Sequence, residues 1–251
     1  MSDYYTWDTV PSLRTLPGST NPEARVVRAI QALQRGEDWN EQREALLVVQ
    51  MAAKEEPDLL QGSLLALVKG IHKCCSCLRS VISVNAFVAL EFLVLSLGVD
   101  PLIELGGNLF HTEFMVPVVE HASRKEKRFV MMHAYRVAEA VVTGEKDTSS
   151  SLSVVESLAA LANHKSSAVA DRCAALLSLL LQEDENLELD AQGVSTLVAT
   201  CHTFLASRSG KGLGKALVQT LNERGYGREC KVAAGRGTGV VYQELTRLFQ
   251  I

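Results

Sequence analysis

Helical patterning comes in pairs along this chain, and the pairs recur. Apolar residues fall at helical spacing in "NPEARVVRAIQALQR" (Val26, Ile30, Leu33) and again, after the break "GED", in "WNEQREALLVVQMAAK" (Trp39, Leu46, Val49, Ala53). The second members of successive pairs start near Trp39, Leu78, Phe129, Val169 and Leu213, a spacing of about 40 to 50 residues. A two-helix unit of that size cannot enclose a core alone, so each must bury its apolar face on the next. The period therefore predicts an all-α fold, an α-solenoid of about five helix pairs plus a terminal helix. Residues 1–21 are expected to form an N-terminal arm and residues 22–251 a single repeat domain.

Repeats of this length are HEAT-like, and the remaining segments fit them. Asn21 is a candidate N-cap with Pro22 at the first helical position. "VISVNAFVALEFLVLSLGV" (Val81 to Val99) is long and apolar enough to suggest a membrane span, but Asn85 and Glu91 lie inside it, so it reads as a core helix. "DPLIELGGNLFHTEFMVPVVEHA" should kink at Gly106-Gly107 and bend at Pro117. "TGEKDTSSS" is the most linker-like stretch, with Ser149 to Ser151 expected to cap "LSVVESLAALA".

Composition supports a large core and argues against several function classes. Hydrophobic residues make up 47% of the chain and aromatics only 6%, which favours stacked helices over an aromatic-rich sheet. A net charge of −4 disfavours a dedicated nucleic-acid binder. The opening "MSDYYTWD" has no basic region followed by an apolar one, so the six cysteines are expected to be reduced, cytosolic thiols. Cys74, Cys75 and Cys77 cluster with His72 in "HKCCSC". Structural zinc usually draws a second ligand pair from a separate segment, and none is present, so neither metal nor cofactor is expected. The loop "SRSGKGLGKALVQ" (Ser207 to Gln219) suggests a phosphate-binding loop. It lacks the required glycine spacing, and Ala216 stands where that motif needs Ser or Thr.

The intra-pair turns of a solenoid lie along one edge: "GED", "CCSC", "SRKEKR", "NHKSS" and "SRSGK". The last four, with adjoining helix ends, carry Lys73 and Arg79, then Arg124, Lys125, Lys127 and Arg128, then His164 and Lys165, then Arg208, Lys211 and Lys215. The connectors between pairs, "KEEPD", "TGEKD" and "EDENLELD", are acidic. Concentrated positive charge in an acidic molecule would steer it toward an acidic partner; ordinary solvated helix ends are the plainer reading.

In order and spacing these turns resemble those of TOG domains, the HEAT-repeat tubulin-binding modules, nearest to the cytoplasmic linker-associated and crescerin types. "DWNEQREALLVVQ" resembles the first turn and its helix, "CLRSVISVNAFVALEFL" the second-turn "LRS" segment, and "NHKSSAVADRCAALL" the fourth turn; Thr203 to Leu221 is a looser match to the last. The resemblance implies that Trp39 projects toward tubulin, with Arg43 beside it. It implies that Arg79 braces the second turn or reaches an acidic partner, and that Lys125, Lys127 and Arg128 act from the third turn, Lys165 from the fourth and Lys211 from the fifth. The sequence departs from the family at Gln42, at the "CCSC" turn, at Ala170 and in the fifth turn.

Two functions follow. One is a non-catalytic tubulin- or microtubule-binding module of the cytoplasmic cytoskeleton or the cilium. The other is a HEAT-type protein-interaction scaffold that does not bind tubulin, working through adaptor proteins or self-association. No nucleophile with a paired base stands out among the six dispersed histidines, so no enzyme activity is expected.

Overall fold

The computed structural model describes residues 4–15, 21–36, 38–184, 187–207 and 210–249. Among these there is no strand, and the chain is all-α, built as a solenoid of consecutive helix pairs. It divides into two compact units, Met1–Gly144 and Glu145–Ile251, with the boundary inside the linker-like "TGEKD".

The first unit contains α1 (Pro22–Arg35) and α2 (Trp39–Glu55), then a short α3 (Asp58–Gln61), α4 (Leu64–Cys75) and α5 (Ser80–Leu97). α6 (Asp100–Glu104) and α7 (Gly107–Leu109) run into a π-helical stretch, Phe110–Met115, followed by α8 (Val116–Ala122) and α9 (Arg128–Thr143). Asn21 caps α1, its Oδ1 accepting from the Ala24 amide at 3.3 Å. The break expected at Gly106 is real: its φ of 112° lies where only glycine is comfortable. After α2 the chain does not run on as one helix: Gly62-Ser63 separates α3 from α4.

α5 is the axis of this unit. Every residue from Ile82 to Val94 is buried, and α5 packs on α4, α2 and α9. Its polar residues are matched. Asn85 accepts from Gln50 Nε2 at 3.2 Å through its carbonyl and donates to the Val81 carbonyl at 2.9 Å. Glu91 pairs with Arg136 of α9 at 2.8 Å. A helix apolar on nearly all sides is thus a core helix here, as the sequence indicated.

The N-terminal segment crosses this unit. Trp7 lies against Phe92 with ring centroids 4.8 Å apart, and Tyr4 reaches Phe129 and His133. Lys54 donates to the Trp7 carbonyl at 2.6 Å, and Glu55 accepts from the Leu13 amide at 2.9 Å.

The second unit pairs α10 (Thr148–Leu161) with α11 (Ser167–Glu183), α12 (Ala191–Ala206) with α13 (Lys211–Glu223), and the nine-residue α14 (Gly227–Gly235) with the nine-residue α15 (Val240–Leu248). The expected terminal helix is α15, and it is paired with α14, which the repeat pattern does not announce. α10 starts earlier than expected, because Asp147 and not the serines is its N-cap, accepting from the Ser150 amide at 2.6 Å. Ser150 and Ser151 are buried inside the helix. Ser151 donates to Asp184 at 2.5 Å, and Lys146 meets the same carboxylate at 3.4 Å, with both charged side chains almost wholly buried. Arg224 and Tyr226 hold the following connector by donating to the carbonyls of Asp184 and Leu187 at 2.9 to 3.1 Å. At Gly214 a Cβ would stand 3.0 Å from Leu205, so glycine there lets α13 approach α12 closely.

Candidate functional site

The heads of α2 and α5 form the most developed surface feature of the first unit. Asp38 caps α2, its Oδ1 accepting from the Asn40 amide at 2.6 Å, which sets Trp39 at the first helical position with 39% of its surface exposed. Arg79 is the N-cap residue of α5 but makes no capping bond with its side chain. Its guanidinium lies instead over the Trp39 ring, 4.6 Å from the centroid, a cation–π arrangement. Leu78, next to it, is 95% exposed.

Local bonds hold this edge in place. The Cys77 amide donates to the Cys74 carbonyl at 3.1 Å, closing the second turn, and Ser83 of α5 donates to the Cys75 carbonyl at 2.5 Å. Lys73 donates to the Gln34 carbonyl at 3.2 Å, tying the second turn to the end of α1. α2 and α5 run in the same sense, because Trp39 meets Arg79 near their starts and Gln50 meets Asn85 further along.

The third turn adds charge. Lys125 and Lys127 sit in a 3-10 turn, Arg128 begins α9, and all three are exposed. Like exposed Arg43 on α2, they make no ion pair among the described residues. Arg124 is engaged with His121 at 3.2 Å and Glu120 at 4.0 Å. Burial lowers the His121 pKa, so the ring is neutral; its Nδ1 donates to the Pro117 carbonyl at 2.8 Å and its Nε2 accepts from Arg124.

The second unit's turns are placed differently. Lys165 is exposed, and neighbouring His164 braces its turn by accepting from the Ser166 amide at 3.1 Å. Lys211, at the head of α13, pairs with Glu244 of α15 at 3.4 Å. Lys215 is exposed beside an open groove that Val218, Asn222 and Leu248 also line. Arg208 lies outside the described residues. The glycine-rich loop follows helix α12, not a strand.

The thiols are inward-looking. Five of the six cysteines are buried and Cys77 is half-buried. Burial pushes Cys74 up to about 12 and raises Cys75 well above the thiol range. His72 turns away from them to Glu113, 3.0 Å from its Nδ1. No group of three His, Cys, Asp or Glu side chains that could hold a metal occurs among the described residues.

Sequence reasoning named Trp39 and Arg79 separately but missed their stacking and missed Leu78 as a surface residue. An apolar residue left in a turn between Cys77 and Arg79 was the available signal.

No protein-family model and no curated protein sequence matches the chain. Among solved structures it is similar to an engineered protein at 17% identity, covering 89% of this chain and 94% of that one with a TM-score of 0.43. It is also similar to a designed armadillo repeat protein at 16% identity, covering 89% and 97% with a TM-score of 0.44. A third, computationally designed armadillo repeat protein for modular peptide recognition has 16% identity, the same coverages and a TM-score of 0.43.

Proposed function

We propose that this chain is a non-catalytic helical-repeat interaction scaffold, and that the head edge of its first unit docks a partner presenting carboxylates beside an apolar patch. The Arg79 guanidinium stacked 4.6 Å over half-exposed Trp39 carries the reading. A guanidinium held over a ring face by cation–π attraction still has N–H groups to offer a carboxylate. Trp and Arg are the residue types most often responsible for interface energy, and Leu78 supplies exposed apolar area next to them. Arg43, Lys125, Lys127 and Arg128 add long-range attraction, which speeds encounter more than it tightens the complex. The scaffold acts by binding free energy, without chemistry.

Within that class the acidic partner we put first is tubulin, free or in the microtubule. Trp39 at the head of α2 and the order of the turn motifs support it through the TOG resemblance, in which Lys165 would also take part, and Lys211 only weakly because Glu244 already holds it. Gel filtration with unpolymerised tubulin at low salt, together with co-sedimentation with microtubules, tests this. The expected result is complex formation that Trp39→Ala weakens at least tenfold and added salt erodes. Absence of both interactions removes tubulin. The broader reading fails if a glutamate-rich peptide carrying one leucine binds wild-type and Trp39→Ala/Arg79→Ala proteins alike.

A further inference from the structure

A second recognition surface lies across α2, α5 and α9, under the N-terminal segment. Tyr4, Trp7, Val10 and Leu13, every third residue of that segment, are its anchors. Tyr4 packs on Phe129 and on His133, with centroids 5.6 and 4.7 Å apart, and Trp7 on Phe92; Val10 and Leu13 are buried. The intervening Thr6, Asp8 and Thr9 are exposed. Polar bonds fix the register: Lys54 to the Trp7 carbonyl, Glu55 to the Leu13 amide and the Ser12 hydroxyl, Glu56 to Arg14 at 3.3 Å. The segment therefore crosses the second helices of three successive pairs, with Leu13 at the end of α2 and Tyr4 at the start of α9.

Two details show that this occupant does not use the whole surface. His133 is 5% exposed, and its Nδ1 is buried without a hydrogen-bond partner in the pocket that receives Tyr4. An unmatched buried polar atom costs free energy that a better-suited ligand recovers. Beside Tyr4, Phe129 and Met132 remain 53% and 50% exposed, on the same face of α9 one turn apart.

We infer that this face is a groove for short peptide segments that turn as Thr6–Val10 does, where the Val10 amide donates to the Thr6 carbonyl at 3.0 Å, with apolar or aromatic anchors at every third residue and a basic residue after the last, and that Tyr4 to Arg14 is an occupant in cis. The partner is a segment of another protein with that spacing, bearing at its first anchor a group that hydrogen-bonds His133. The tethered segment competes at the high effective concentration of an intramolecular ligand, so the groove opens only to a partner that outbids it. This surface is separate from the Trp39–Arg79 pair and does not depend on the role proposed there.

The test uses a fluorescein-labelled peptide of residues 4–15 and the full chain. Fluorescence anisotropy should show saturable binding to Trp7→Ala protein and binding at least about tenfold weaker to wild type, whose own segment competes. The same peptide carrying Trp7→Ala should not bind. Adding Lys54→Met to the Trp7→Ala protein should cost about tenfold, the value of one charge-assisted hydrogen bond. Should Trp7→Ala protein not unfold cooperatively, Tyr4→Ala protein takes its place, since Tyr4 is the outermost anchor. Equal affinity for wild type and variant, or no binding to a cooperatively folded variant, overturns the inference. So does a concentration-dependent dimer of wild type that Trp7→Ala abolishes, because the segment would then belong to a second copy.

Discussion

The turns of the two units carry the same kind of charge and commit it differently. In the first unit Arg79 lies on an exposed tryptophan, and Arg43, Lys125, Lys127 and Arg128 stand clear of carboxylates among the described residues. In the second, Lys165 is likewise exposed, but Lys211 is held by Glu244, and Lys146, in the connector before α10, is buried with Asp184. Repeat periodicity fixes where a turn residue sits. Whether it is free to meet a partner depends on elements outside the period, here α15 and the connector after α11.

The largest effect should come from the second unit's interior. Asp184→Ala removes the buried carboxylate that Ser151 and Lys146 share, and urea denaturation should show a loss of about 3 to 5 kcal/mol. Arg136→Ala removes the partner of Glu91 in the first unit and should cost less, about 1 to 2 kcal/mol. Arg136 is half exposed, and burial already raises the Glu91 pKa, so Glu91 can take up a proton once its partner is gone. Equal losses would contradict the contrast between a buried and a peripheral ion pair.

The next effect belongs to the first unit. Burial, helped by Arg136, lowers the His133 pKa to about 4 from 6.5. The unfolded chain therefore binds the proton first, and the stability due to neutral His133 is fully present above pH 6.5 and lost as pH falls toward 4. At pH 4.5 the loss should be on the order of 2 to 3 kcal/mol. It should be absent from the difference between pH 7 and pH 4.5 in a His133→Phe protein, whereas an unchanged difference would show that His133 does not titrate in this way.

The effects at the two turn edges fall on binding and leave stability almost untouched. Trp39→Ala should weaken partner binding by about 2 kcal/mol while leaving the urea midpoint nearly unchanged. Lys211→Ala should shift binding by under about 0.5 kcal/mol, since its surface pair with Glu244 already satisfies it. Titrating both variants with the same acidic partner ranks the edges. A larger effect at Lys211 would reverse the comparison.

Much of the fold was legible because a helix announces itself locally. Successive second helices begin at Trp39, Ser80, Arg128, Ser167 and Lys211, within two residues of where periodicity put them, and Asn21 caps α1 through the bond its position suggests. What escaped depends on distant partners or on backbone rather than pattern. α14 is short and bounded by Gly227 and Gly235, so its apolar stripe is brief. Lys146 and Asp184 sit in stretches whose charge suggests solvent, and only the folded chain brings them together. The anchors Tyr4, Trp7, Val10 and Leu13 repeat every third residue, a spacing that neither a helix nor a strand template recognises. At the site, the residue types of Trp39 and Arg79 were readable and their stacking was not, because α4 separates them in sequence.

The half-buried Cys77 makes the second turn chemically addressable. With the other five thiols buried, a maleimide dye should react with the native protein at this one position and with all six cysteines only after unfolding. The label would sit two residues from Arg79, where its emission would report a partner's arrival without engineering a new cysteine.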